Sequence, residues 1–79
     1  MRLDKYLKVS RIIKRRTIAS EACTAGKVLL NGKVAKPSVT VKPGDIIEIT
    51  FGSTITKFQI TSLKESVKKE EAALMYKSL

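Results

Sequence analysis

The sequence predicts a small α+β domain: two short N-terminal helices packed on a small, mostly antiparallel sheet, followed by a C-terminal helix. Three observations carry that expectation. Apolar residues near the start recur at three- and four-residue spacing, as on one face of a helix. From Val28 to Ile60 they alternate in short runs broken by Asn-Gly, Pro-Gly and Gly-Ser turns. The last dozen residues are rich in helix formers. Helices flanking a run of strands gather on one side of the sheet.

Residues 3–9 form the first expected helix, with Leu3, Tyr6 and Leu7 on one face and Asp4 in the first turn, where its charge suits the helix dipole or a local salt bridge. Residues 10–14 connect it to a second helix ending at Ala25. Thr17 is a candidate N-cap, but a start nearer Arg15 fits as well. The buried face is either Ile18, Ala22 and Ala25 or Ala19, Ala22 and Cys23, and Gly26 is placed to end the helix in a left-handed conformation. Val28–Leu30 and Lys33–Ala35 flank Asn31-Gly32, whose residues both tolerate the positive φ of a tight hairpin turn. Pro37 interrupts the pairing, and Val39 and Val41 resume the alternation. After the Lys42–Asp45 turn, Ile47, Ile49 and Phe51 alternate with polar residues. Beyond Gly52-Ser53, Thr56, Phe58 and Ile60 do the same. The last helix is expected over 66–77, capped by Ser66 and docked by Val67, Leu74 and Tyr76.

The 79 residues allow one domain, 1–79, with a thin core. The net charge is +9, and it is unevenly placed. Residues 1–36 hold ten Lys or Arg against Asp4 and Glu21, whereas residues 37–79 hold six against five acids. A one-sided basic surface attracts polyanions. The chain has one cysteine and no histidine, so no internal disulfide, no zinc site and no Ser-His or Cys-His pair is expected. Cys23 reads as a packing residue on an Ala-rich face. With scattered carboxylates and isolated turn glycines, the chain is expected not to be an enzyme and to use no cofactor. No run approaches the ~20 apolar residues of a membrane span, and nothing resembles a signal peptide. A soluble cytoplasmic protein is therefore expected.

The functional signal is the basic stretch Arg2, Lys5, Lys8, Arg11, Lys14, Arg15, Arg16 and Lys27, continued by Asn31 and Lys33 at the hairpin. Lys14-Arg15-Arg16 falls at the start of the second helix, where cations oppose the dipole at roughly 0.3–1 kcal/mol each. An anionic ligand accounts for that placement: a phosphate accepts from the helix-start amides and the arginines together. With acids nearly absent, RNA binding is preferred over a solvated charge cluster.

RLDKYL, then KRRTIASEACTAGKVLLNGK, then VKPGDIIEI, resembles the S-four RNA-binding domain family over residues 2–50. The family often has Ser where this chain has Lys14. The remainder, 51–79, supplies a hairpin strand and the terminal helix. The tail VKKEEAALMY resembles the stand-alone bacterial members of ribosome-associated quality control, the factor P group, relatives of the heat-shock ribosome-rescue proteins. The resemblance implies a non-catalytic factor on the large ribosomal subunit obstructed by peptidyl-tRNA. It implies contacts to large-subunit ribosomal RNA and tRNA, quality-control factor H as neighbour, and support of C-terminal alanine tailing of the stalled chain. Arg2 and Arg16 match the family's main RNA-contacting arginines. A monomer with no membrane role is expected. Two other readings stay open. One is the RNA-targeting domain of a modifying enzyme such as a pseudouridine synthase. The other is a basic adaptor for another polyanion, which calls for exposed aromatics, whereas Tyr6, Phe51 and Phe58 fall at core-type positions.

Overall fold

The computed structural model describes residues 1–65 and 67–79. Helices α1 (Leu3–Val9) and α2 (Arg16–Thr24) come first. Strands β1 (Val28–Leu30), β2 (Lys33–Val34), β3 (Ile46–Phe51) and β4 (Thr54–Ile60) follow. A single turn of helix α3 (Lys69–Ala72), a 3-10 turn (Ala73–Met75) and strand β5 (Tyr76–Ser78) end the chain. The sheet order is β2-β1-β3-β4-β5, antiparallel throughout.

The helical periodicity of α1 is realised: Leu3, Tyr6 and Leu7 are fully buried, against Val28, Ile47, Ile49 and Ile60 of the sheet. For α2 the Ala19–Cys23 face is the buried one, and Ile18 is half-exposed. The helix starts at Arg16 with Arg15 as its cap residue, not at Thr17. At its other end Gly26 (φ 77°) donates to the Cys23 carbonyl and Lys27 to that of Ala22, the paired bonds that close a helix around a left-handed glycine. In the β1–β2 turn Asn31 and Gly32 have φ of 51° and 85°, and Leu30 pairs with Lys33 across it.

Three expectations change. Val39 and Val41 join no strand of the sheet. Instead the Pro37 and Val39 carbonyls accept from the Asp4 and Leu3 amides, and Val41 donates to the Met1 carbonyl. This satisfies donors that the start of α1 would otherwise leave without partners.

The last helix is far shorter than 66–77, and its expected cap, Ser66, lies outside the described residues. A segment this short is marginal as an isolated helix. The open edge of β4 offers a ladder instead, and Tyr76, Lys77 and Ser78 pair with Ile60, Gln59 and Phe58. Met75, not Leu74, is the buried anchor. Its carbonyl accepts from the Tyr6 hydroxyl at 2.8 Å and the Thr61 amide at 2.9 Å, while Leu74 faces solvent. Tyr76 docks by its ring edge against Phe58, centroids 5.2 Å apart, and Val67 is partly buried against the core. Phe51 also departs from expectation. It ends β3 at the Gly52 turn and is half-exposed, lining a hollow with Ile18 of α2.

Candidate nucleic-acid interface

Two of the basic residues, Arg2 and Arg16, converge through an acid. Asp4 sits in the first turn of α1 and is 3% exposed, so its carboxylate must be satisfied internally. Arg2 precedes α1 with extended backbone, held there by its bridge to Thr40. From that position its Nε and Nη2 donate to the two Asp4 carboxylate oxygens, both at 3.2 Å, a bidentate pair. Arg16 opens α2 and reaches the same carboxylate, with Nε 3.4 Å from Oδ2 and Nη2 3.5 Å from Oδ1. The Lys5 amide adds a donor at 2.8 Å. Burial opposes the charge on Asp4, but the Arg16 hydrogen bond, the Lys5 amide and the charges of Arg16 and Arg2 outweigh it. The carboxyl is held below its ordinary pKa.

Two guanidiniums, one just before α1 and one opening α2, are thus aligned on one carboxylate. Their side chains are still 52% and 47% exposed, so the remaining N–H groups of each fork are free for a phosphate. Arg16 stands at the start of α2, whose first turn carries no acid and whose cap residue, Arg15, makes no side-chain capping bond.

The other basic residues fall into separate settings. Lys5 is paired with Glu65. Lys8 ends α1, and Arg11 and Lys14 are exposed on the connector. Lys27 rims a shallow apolar hollow with Glu21, Ile18 and Phe51. Lys33 lies on the edge strand β2. Asn31 spends both side-chain groups within the fold: Nδ2 donates to Asp45 at 3.1 Å, and Oδ1 accepts from the Ile46 amide at 2.9 Å, pinning the hairpin to the 42–45 turn. The linking role of Asp4 is the feature that sequence reasoning missed. Its signal was an acid two residues after Arg2 in a stretch otherwise almost free of acids.

Comparison with known proteins identifies the frame in which this geometry sits. The S4 domain family matches residues 1–47, which hold α1, α2, β1, β2 and the Arg2–Asp4–Arg16 cluster. The chain belongs to the S4 domain family. It is 54% identical over 76 residues to a protein of Halalkalibacterium halodurans named RQC P-site tRNA stabilizing factor, covering 96% of this chain and 86% of that one. A Bacillus subtilis protein of the same name is also 54% identical, with 96% and 88% covered. Among solved structures, Heat Shock Protein 15 of Vibrio cholerae, described as trimeric, superposes with a TM-score of 0.92 at 32% identity. The match covers all of this S4 domain chain and 81% of that one.

Proposed function

We propose that this protein is a non-catalytic RNA-binding factor of ribosome-associated quality control. It acts on the large ribosomal subunit obstructed by peptidyl-tRNA, contacts ribosomal RNA and tRNA, and stabilises the tRNA in the P site. In this reading it works beside quality-control factor H, supports alanine tailing of the stalled chain, and acts as a cytoplasmic monomer. The names of the Halalkalibacterium and Bacillus relatives support the ribosomal setting. The observation that carries the reading is the pair of half-exposed arginines, Arg2 before α1 and Arg16 at the start of α2, both ordered by the buried Asp4. A phosphate meeting that pair finds both forks already oriented, so little side-chain entropy is lost on binding. Lys5, Lys8, Arg11, Lys14, Arg15, Lys27, Asn31 and Lys33 extend the surface beyond that pair.

The test is affinity for isolated large ribosomal subunits and for tRNA across a salt series. Arg16→Ala and Arg2→Ala are each expected to lower the salt slope by roughly one unit and to weaken binding. Arg16→Lys restores only part, because an ammonium cannot form the fork. Lys77→Ala, on β5, leaves affinity nearly unchanged. Equal losses for Arg16→Ala and Lys77→Ala would refute a located site. Enzymatic turnover of RNA or nucleotide that disappears with a single substitution would refute the non-catalytic assignment.

A further inference from the structure

We infer that Lys8, Arg11, Lys14 and Lys69 form a second phosphate site, in a cleft between the α1–α2 connector and the C-terminal segment. The inference rests on the RNA-binding reading and adds a subsite to it. Three observations support it.

The first is shape. Lys8, Arg11 and Lys14 line a hollow of about 210 Å³ whose far side is Glu65 and Val67. Arg11 and Lys14 also line the adjoining hollow, together with Lys69 and Tyr76. The shortened α3 and strand β5 create this wall, since a continuous terminal helix would not return Tyr76 to the sheet beside it.

The second is charge. Among the described residues, the ion pairs engage Arg2, Lys5, Arg16, Lys57 and Lys64, and none of Lys8, Arg11, Lys14 or Lys69. The acid that lines the first hollow, Glu65, is taken by Lys5, whose hydrogen bond holds its carboxyl below the ordinary pKa. Four like charges with no ion-pair partner among the described residues, set around a concave surface, focus a positive potential there.

The third is backbone. Arg11 has φ of 63°, and its amide donates to the Lys8 carbonyl at 3.0 Å. It therefore holds, at the end of α1, the left-handed position that Gly26 holds at the end of α2. A side chain with a Cβ is disfavoured in that conformation. Every glycine of the chain takes a positive φ, so glycine is this fold's ordinary solution there. Retaining arginine places a guanidinium at the mouth of the cleft at a cost to the fold, as strained positions at binding sites do.

This cleft lies at the C-terminal end of α1 and the Arg2–Arg16 pair at its N-terminal end. Roughly 10 Å of helix separates them, more than one phosphate group spans. The ligand is thus a second phosphate of the bound RNA backbone. No buried carboxylate aligns these cations, so the site contributes charge and footprint, not a fixed fork.

The test uses the full chain with large ribosomal subunits and tRNA as separate probes, over a salt series. Arg11→Gly is expected to keep or raise the melting temperature, since glycine relieves the left-handed strain, and yet to bind several-fold more weakly, with a salt slope lower by about one unit. Lys69→Ala is expected to lower the slope likewise, and the double variant to lose both increments. If Arg11→Gly and Lys69→Ala bind like Lys77→Ala while Arg16→Ala loses affinity, the second site is refuted and the arginine pair stands. If Arg16→Ala also binds like the parent, the RNA-binding reading itself has failed.

Discussion

Asp4→Asn separates an ordered site from simple charge attraction. The substitution keeps shape, removes the charge that two arginines share, and raises the net charge from +9 by one. Diffuse attraction to RNA therefore predicts tighter binding and a steeper salt slope. The geometry predicts the reverse. Arg2 makes two bonds of 3.2 Å to this carboxylate, and Arg16 approaches it at 3.4 Å. Without them, each side chain must be ordered at the moment of binding, at about 0.5–1.5 kcal/mol. Two side chains give about 1–3 kcal/mol, so affinity should fall roughly tenfold.

Stability should fall too. Charge-assisted hydrogen bonds contribute about 1.5–3 kcal/mol when well shielded, but both arginines are half-exposed and the figure must be discounted for solvent. A loss of about 1–2 kcal/mol remains, or roughly 5–15 °C in melting temperature for a domain of this size. The loss depends on pH with a definite sign. The folded-state pKa of Asp4 is depressed below 3.8, so its contribution is fully present above that value and disappears as pH falls through the folded-state pKa. The gap between parent and Asp4→Asn should be constant near neutrality and close only below pH 3.8. The assays are calorimetry against pH and RNA binding against salt. An Asp4→Asn protein that binds more tightly, with unchanged melting temperature, would refute the proposed alignment.

Three further outcomes are expected. Gly32→Val places a β-branched residue at φ 85°, with no atom within 4 Å of its Cβ, so backbone strain alone should lower the melting temperature; a parent-like melting curve would contradict the turn. Met75→Ala should cost about 2–5 kcal/mol, as for a fully buried side chain, whereas Leu74→Ala should stay within about 0.5 kcal/mol; denaturant titration of the two variants decides between the observed strand and a continuous helix. The Cys23 thiol, pushed up to about 11 by burial and by the Asp4 charge, should resist a thiol reagent at neutral pH until the protein is unfolded; rapid labelling of the folded protein would show that the α2 face is open.

The parts of the fold legible in the sequence are those whose cause is local. Asn31-Gly32 announces its turn because two adjacent residues must both take positive φ. Gly26 announces the end of α2 for the same reason. Leu3, Tyr6 and Leu7 mark the face of α1 by spacing alone. What was not legible is decided by partners distant in the chain. The segment from Ala72 to Ser78 reads as helix, yet the open edge of β4 and the Tyr6 hydroxyl draw it into a turn and a strand. Val39 alternates like a strand residue, yet its carbonyl serves the start of α1. Arg2 and Arg16 stood out in the sequence as candidate phosphate contacts. Their meeting on one carboxylate did not, because it depends on how α1 and α2 pack.

The same packing explains why an acid persists in so basic a stretch. Net charge brings a polyanion near but does not orient it. Orientation needs guanidiniums held in place, and two cations side by side repel unless a negative charge lies between them. Asp4 supplies that charge from a buried position, where it is shielded from salt more than a surface acid would be. It also joins the N-terminus to α2, so the contact that orders the arginines is one of those that hold the fold together. The cleft around Arg11 follows the opposite rule. There, among the described residues, no carboxylate pairs with the cations, and the backbone bears a left-handed arginine where glycine would be easier. Under the proposed RNA-binding function, one end of α1 binds by geometry and the other by charge. The difference should be visible as a fork-specific loss for Arg16→Lys at the first end, and as a purely salt-dependent loss for Lys69→Ala at the second.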